Sequence, residues 1–402
     1  MDISLEAIYQ AKETLKQVAY KTALVYNYFL SEMSGNKVYV KMENLQRTGS
    51  FKLRGAYNKI ANLTDEEKKR GVIASSAGNH AQGVAVAAGI YGIKCTIVMP
   101  KHVPLSKAKA TRRYGAEVIL HGEVYDEAYE EAMRLQKKTQ ATFIHPFDDP
   151  LVIAGQGTIA LEILEDLPDV EVVVAPIGGG GLISGVALAL KTIKPDVRVI
   201  GVQSKNMPSM AESISQQRLV TVNGFSSIAD GISVKTPGKA AFEIVKQYVD
   251  EIVTVDDDEI ASAMLLFLEN AKVVAEGAGA ASVSAIIHRL PHYRNRKMVA
   301  ILSGGNIDVN ILELIIDKGL VKDGRKCFLT TVIQDRPGAL AQLLKLTADL
   351  GANVLAVSHK RETLDIPISF AKVELELETS NSEQVHTIKK LLEDNYYHVE
   401  IQ

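Results

Sequence analysis

The sequence predicts an α/β protein of two parallel-sheet parts, followed by a small α+β module of the ferredoxin-like kind. Three observations predict it. Between Val72 and Ile144, short apolar runs alternate with amphipathic segments, the repeat of a parallel sheet covered on both faces. The alternation resumes between Gly155 and Leu302. Beyond about Arg325 the order becomes strand, helix, strand, strand, helix, strand, in a stretch too short for a third part of the same kind.

Taken in order, Leu5, Ile8, Ala11, Leu15 and Val18 have helical spacing and predict a helix over 5–19. A strand over 38–41 leads into the run Asn44-Leu45-Gln46-Arg47-Thr48-Gly49-Ser50-Phe51-Lys52. The first series is then strand 72–74, helix 81–91, strand 95–99, helix 105–114, strand 117–120, helix 125–139 and strand 142–144. The second is helix 155–164, strand 172–177, helix 182–193, strand 197–203, helices 258–270 and 277–288, and strand 298–302. Residues 318–325 are polar and contain a glycine, so they read as a linker. The last module has strand 328–333 and a helix start at Asp335-Arg336-Pro337-Gly338, with Pro337 near the first turn. Helix 339–350, strands 354–358 and 370–377, helix 382–395 and strand 399–401 complete it. The expected domains are 1–322, with a smaller part at about 50–150 inserted, and 326–402.

A chain of 402 residues exceeds one ordinary core. Its 47% apolar and 23% charged residues describe a soluble globular protein and argue against disorder. A net charge of -3 supplies no basic field for nucleic acid or acidic membranes. The longest apolar runs, such as Val172 to Ile177, are strand-sized and far short of a spanning helix. Met1-Asp2-Ile3-Ser4-Leu5-Glu6 carries an acid and lacks the basic start of a signal peptide. Two cysteines, Cys95 and Cys327, cannot build a disulfide framework, and no metal-ligand spacing occurs. The expectation is a cytoplasmic protein with no nucleic-acid, membrane or metal partner.

Four constellations carry chemistry. Lys52, beside Phe51 and before an amphipathic helix, reads as a snorkelling lysine or as an amine held against an apolar wall. Desolvation lowers an ammonium pKa, and such a lysine can condense with a carbonyl cofactor. Gly178-Gly179-Gly180-Gly181-Leu182 joins a strand to a helix, where free N–H groups can bind phosphate. The sixth position from Gly178 is Ile183, so the dinucleotide pattern fails and a lone phosphate is favoured over a pyrophosphate, with a tight structural turn as the other alternative. Ser75-Ser76-Ala77-Gly78-Asn79-His80 also joins strand to helix and suits a substrate carboxylate, with ordinary capping as the alternative. His80 reads equally well as a structural histidine. Ser303-Gly304-Gly305-Asn306 ends the last core strand, where a hydroxyl faces the ligand crevice of an open α/β sheet. Its two glycines allow a flat ring to approach, and a plain turn is the alternative.

These four motifs in this order resemble the fold-type II pyridoxal-phosphate enzymes, and within them the threonine ammonia-lyases (threonine dehydratases). The resemblance spans about Leu5 to Leu320. It implies pyridoxal 5'-phosphate as cofactor, Lys52 as the catalytic Schiff-base lysine, and Phe51 beside the cofactor ring. It implies Gly178, Gly179, Gly180, Gly181 and Leu182 around the phosphate, Asn79 at the ring hydroxyl and Ser303 at the pyridine nitrogen. Ser76, Ala77, Gly78, Asn79 and His80 would receive the substrate carboxylate, and Ala229-Asp230-Gly231 would border the pocket. The tail with Asp335-Arg336-Pro337-Gly338 resembles an ACT domain, a module that binds amino-acid effectors. The implied protein is a homo-oligomer, dimer or tetramer, that deaminates L-threonine and L-serine in amino-acid metabolism, with branched-chain amino acids as effectors.

Two departures refine the resemblance. Serine racemases of this family place a serine base immediately before the Gly-Asn-His run, and here it is Ala77. Relatives with a divalent-cation site use a carboxylate where this chain has Gln203, which argues against such a site. A serine dehydratase, a β-replacement enzyme and a non-catalytic amino-acid sensor are the competing readings.

Overall fold

The alternation of buried runs and helices resolves into three sheets in the computed structural model, which describes residues 3–362 and 364–401. The larger sheet has six strands in the order Leu24–Tyr26, Lys37–Met42, Lys297–Leu302, Val172–Pro176, Arg198–Ser204, Glu251–Val255. Only the first of these pairs antiparallel. The smaller sheet is wholly parallel, in the order Glu117–Leu120, Cys95–Met99, Val72–Ser75, Thr142–Phe143.

Side chains alternate across a strand, so both faces of each sheet must be covered. In the larger sheet Val173, Ala175, Val199, Val299 and Ile301 pack with helices Leu5–Leu15, Pro150–Asp166, Gly181–Ile193 and Lys239–Tyr248. Helix Gly277–His288 packs on the strands as well. In the smaller sheet Val72, Ala74, Cys95, Ile97 and Met99 face helices Lys52–Ala61 and Asn79–Ile90. Ile73 and Val98 face Ala128 and Ala132 of helix Tyr125–Thr139 on the other side. Each fully buried Val, Ile or Met among them contributes about 1.5–3 kcal/mol relative to leaving it exposed.

The chain divides into two compact units, Met1–Asp308 and Val309–Gln402, and both sheets above lie in the first. The second holds helix Val309–Lys322 and a four-stranded antiparallel sheet in the order Asn353–Lys360, Phe370–Glu378, Lys326–Gln334, Val399–Ile401. With helices Ala339–Asp349 and Ser382–Asp394 this is the ferredoxin-like order read from the sequence.

The differences have local causes. Residues 318–325 are not an irregular linker, because the helix Val309–Lys322 runs through their first part and the strand begins at Lys326. Pro337 lies just before the helix, next to its cap and so near the first turn as expected. Gly338, at φ 89°, is the cap of Ala339–Asp349, a left-handed conformation that glycine adopts without strain. The helix expected over 155–164 starts at Pro150, because Asp149 accepts from the N–H of Leu151 and Val152 and proline suits the first helical position. The helix expected over 258–270 is α-helical only over Asp257–Leu266 and finishes as a π-turn at Phe267–Ala271. Helix Asp65–Arg70 buries no residue, so no apolar period announces it. A capping box between Thr64 and Glu67 and complementary terminal charges hold it instead.

Candidate active site

Three parallel strands deliver sequence motifs at their carboxyl ends: Val72–Ser75 leads to Ser76, Val172–Pro176 to Gly178, and Lys297–Leu302 to Ser303. Lys52 opens the helix Lys52–Ala61. Its amine donates to the Pro146 carbonyl at 2.8 Å and lies 5.2 Å from the centre of the Phe51 ring. The side chain is half-buried. Burial pushes its ammonium down to about 8, with the Glu276 carboxyl pulling the other way.

From Lys52 a circuit of contacts runs through the motifs. Pro146 is followed by Phe147, whose ring lies so close to Gly179 that a side chain there would overlap it. A β-carbon at Gly181 would come within 2.6 Å of the Phe147 carbonyl oxygen. Gly180, at φ 100°, caps the helix Gly181–Ile193, in which Leu182 is buried. The N–H groups of that first turn have no intrahelical partner. Gly178 faces the Gly231 carbonyl, and Gly231 in turn faces Ala278. Ala278 follows Glu276, the N-cap residue of Gly277–His288. Glu276 Oε1 accepts from Asn79 Nδ2 at 2.7 Å, and a side chain at Gly304 would overlap that oxygen. Gly304 bridges to Ser50, and the Phe51 N–H donates to the Ser303 carbonyl at 3.0 Å. The circuit closes at Lys52.

The turn at 75–80 is not capped by its serines. Ser75 Oγ is buried without a partner among the described residues, and Ser76 Oγ accepts from the Gly78 N–H at 3.2 Å. The cap of helix Asn79–Ile90 is Gly78, with no side-chain bond, so N–H groups of its first turn stay available. A β-carbon at Gly78 would meet nothing within 4 Å, and Ser76, Ala77 and Gly78 are half-buried. His80 is buried. Its Nε2 donates to the Ile144 carbonyl at 2.8 Å and its Nδ1 has no partner among the described residues. Burial and then the Lys52 charge hold its imidazole down to about 3, so the ring is neutral.

Sequence reasoning misses several residues here. Glu276 is the main one: burial, then Asp230, push its carboxyl up to about 8, against the Asn79 N–H and Lys107. An acid immediately before an alanine-rich helix is its only signal. Asn306 closes a quoted motif, and its Nδ2 donates to Thr48 O at 2.7 Å and to Asn79 Oδ1 at 2.8 Å. Exposed ion pairs that join the two sheet-bearing parts include Lys107 with Asp230 at 2.8 Å and Lys235 with Asp126 at 2.7 Å. Among the described residues no group of three or more His, Cys, Asp or Glu side chains is placed to hold a metal ion. Gln203 is buried, its Oε1 accepting from the Ala211 N–H at 2.8 Å and its Nε2 unpartnered among the described residues.

Comparison with known proteins agrees with this geometry. The family model described as "Pyridoxal-phosphate dependent enzyme" matches residues 15–304. An L-threonine ammonia-lyase of Thermotoga maritima is 59% identical over 399 residues, covering 99% of each chain. Among solved structures, the processed form of threonine deaminase isoform 2 from Solanum lycopersicum has a TM-score of 0.75 at 38% identity, covering 78% of this chain and 87% of its own. Maize serine racemase has the same TM-score of 0.75 at 34% identity, covering 80% of this chain and 99% of its own. Backbone likeness alone therefore does not separate elimination from racemisation.

Proposed function

The chain belongs to the pyridoxal-phosphate-dependent enzyme family, and from that membership we propose that it deaminates L-threonine to 2-oxobutanoate and ammonia, and L-serine to pyruvate and ammonia. It is an enzyme, and its cofactor is pyridoxal phosphate. The residues fit that group. Thr48 Oγ1, Ser50 Oγ, Ser75 Oγ and His80 Nδ1 are buried without a partner among the described residues, in the two segments that flank Lys52 and Asn79. Each such atom costs ~1–3 kcal/mol, which a polar ligand can relieve. The glycine run Gly178–Gly181 leaves no room for side chains that would keep a phosphate off its N–H groups.

When bound, the cofactor supplies a carbonyl that condenses with an amine and a ring that draws electrons from the substrate α-carbon. Lys52 would hold its carbonyl carbon, Gly178 to Leu182 its phosphate, Asn79 its ring hydroxyl and Ser303 its ring nitrogen, with Phe51 alongside. The 76–80 turn and Gly231 would hold the substrate carboxylate on N–H donors. Lys52 would take the α-proton at Nζ, the electron pair left behind would form the α–β double bond as the β C–O bond breaks, and the departing hydroxide would take up a proton to leave as water. The released enamine tautomerises to an imine, and hydrolysis of that imine frees ammonia.

The observation that carries the proposal is the Lys52 amine, half-buried and held by a neutral carbonyl. Ala77 supports elimination over racemisation, because it offers no hydroxyl from the opposite side. Serine lacks one methyl, and such a difference typically separates substrates by about 10–200-fold. The test is an absorbance scan with added pyridoxal phosphate, then a keto-acid assay on both amino acids. Cofactor binding with no keto acid from either would refute the reading.

The βαββαβ order of the second unit supports an ACT-like module that senses branched-chain amino acids, products of a pathway fed by 2-oxobutanoate. Regulation would follow from tighter effector binding to one arrangement of a dimer or tetramer in the cytoplasm. Isoleucine should move the threonine saturation curve. Gly338→Val, a β-branched residue at φ 89°, should remove that response and keep the basal rate. An unchanged shift in the variant would reject the assignment of the sensing site.

A further inference from the structure

We propose that Glu276 and Asn306 are positioning residues for Asn79, fixing its amide so that one N–H, and not its carbonyl, meets the ring oxygen of the bound cofactor. The inference rests on the reading of Asn79 as the ring-hydroxyl partner given above.

An asparagine amide can turn over about its last torsion, exchanging donor and acceptor with almost no change in shape. Asn79 cannot, because its orientation is passed along a chain that starts at a backbone carbonyl. Thr48 O can only accept. It therefore takes one N–H of Asn306 Nδ2 at 2.7 Å, and the other N–H of that nitrogen goes to Asn79 at 2.8 Å. The Asn79 atom facing Asn306 is thus Oδ1. That leaves Nδ2 on the opposite side, where it donates to Glu276 Oε1 at 2.7 Å. A single N–H of Asn79 remains unspent. One donor suits the anionic oxygen of an aromatic ring, whereas a flipped amide would set a carbonyl against it.

Glu276 is itself fixed. Its backbone N–H donates to the Gly304 carbonyl at 3.1 Å, and only a glycine at 304 lets its carboxyl lie where it does. Burial and Asp230 keep that carboxyl protonated up to about 8, with Asn79 and Lys107 opposing. It can thus accept from Asn79 without placing a full negative charge near the ring oxygen. The carboxyl acts through Asn79, so Gln, which retains an acceptor oxygen and cannot ionise, should replace it.

The test uses the full-length protein loaded with pyridoxal phosphate, reading cofactor affinity by fluorescence titration and the absorbance spectrum of the bound cofactor. Thermal melts verify folding. Asn79→Ala, Glu276→Ala and Asn306→Ala should each weaken cofactor binding about tenfold, the loss of one well-placed hydrogen bond, and shift the absorbance in the same direction. Glu276→Gln should restore the affinity and spectrum of the parent protein. If Asn79→Ala alters both readouts while Glu276→Ala and Asn306→Ala alter neither, the positioning role is overturned and the Asn79 assignment stands. If Asn79→Ala alters neither, the underlying assignment fails. Glu276→Gln behaving like Glu276→Ala also overturns the proposal, since the site would then be using the carboxylate charge.

Discussion

Lys52 and Arg54 lie two residues apart at the start of one helix, and burial has opposite consequences for them. The Lys52 amine meets one neutral carbonyl, and desolvation pushes it down to about 8. Arg54 is 1% exposed, yet its guanidinium is held above its ordinary pKa: burial works against the charge and the carboxylates of Glu43 and Glu162 outweigh it. Arg54 makes a two-pronged contact with each carboxylate, at 2.8 and 2.8 Å to Glu43 and at 2.6 and 2.9 Å to Glu162. Lys41, 0% exposed, adds a bond to Glu162 at 2.6 Å. Burial would raise Glu43 as well, but Arg54, Thr22 and Lys41 hold its carboxyl below the ordinary range. What separates the two sites is counter-ions. The cluster has two cations for two anions and anchors the helix, while the site one half-turn away withholds a close anion and keeps an amine ready to react.

The largest effect should come from removing the unpaired member. Lys52→Ala should lower turnover by at least about 10²–10⁴-fold from the proton-transfer role alone, and abolish covalent attachment of the cofactor. Its urea unfolding midpoint should match or exceed that of the parent, because a poorly solvated amine is gone. A clear loss of stability would show that Lys52 is a structural member of the same network as Arg54.

Removing the paired member should do the reverse. Arg54→Met leaves two buried carboxylates facing Lys41 alone and should cost about 3–5 kcal/mol by urea unfolding. Adding Glu43→Leu to Arg54→Met should recover part of that loss, since an apolar replacement of a whole buried pair is often neutral. If the double variant is no more stable than the single one, counter-ion balance is not what the cluster supplies.

How much of this contrast is legible in the chain follows from distance along it. The strand–helix alternation, the glycine run and the Lys52, Asn79 and Ser303 motifs are local, and each lies at a strand or helix end where local chemistry shows. The partners are not local. Glu276 reaches Asn79 across 197 residues and Glu162 reaches Arg54 across 108. Neither carries a pattern of its own, since one glutamate before a helix and another within a helix look like ordinary polar residues. The helix Asp65–Arg70 is hidden for a different reason, because it buries nothing and so has no apolar period.

A smaller effect separates Glu276 from Glu43, two buried acids displaced in opposite directions. Glu276 is raised from 4.5 to about 8, so over that window the folded cofactor-free protein binds more protons than the unfolded chain. Stability must then fall as pH rises from about 4.5 to about 8. Glu276→Gln removes this dependence. Against that variant, the cofactor-free parent should lose about 3–4 kcal/mol between pH 5 and pH 8, and the difference between the two should level off below 4.5. Asp230, Lys107, Lys52 and Asn79 face the carboxyl, so the melts need salt held constant. A gap that stays flat with pH would mean that Glu276 is ionised throughout.

The smallest effect concerns a third arrangement, an acid met by backbone N–H donors and not by a cation. Asp148 follows Pro146 and Phe147, the residues that meet Lys52 and Gly179. Its carboxylate accepts from the N–H groups of Lys239 and Ala240 at 2.9 Å each and of Ala241 at 3.3 Å. These open the helix Lys239–Tyr248, whose own cap, Gly238, offers no side chain. The partial positive charge of a helix N-terminus thus replaces a cation, supplied from about 90 residues downstream. Asp148→Asn keeps an acceptor oxygen and loses the charge, so it should cost only about 0.5–1 kcal/mol, and less in high salt because the site is half-buried. Asp148→Ala should cost about twice that, since donors as well as the dipole are then left unmet. Because the same residue fixes the 146–148 turn, both variants should also weaken phosphate binding at Gly178–Gly181 in proportion to their stability loss. Urea unfolding at two salt concentrations and a titration with pyridoxal phosphate measure the two effects. A stability loss unaccompanied by weaker phosphate binding would detach the turn from the site and leave Asp148 a helix cap alone.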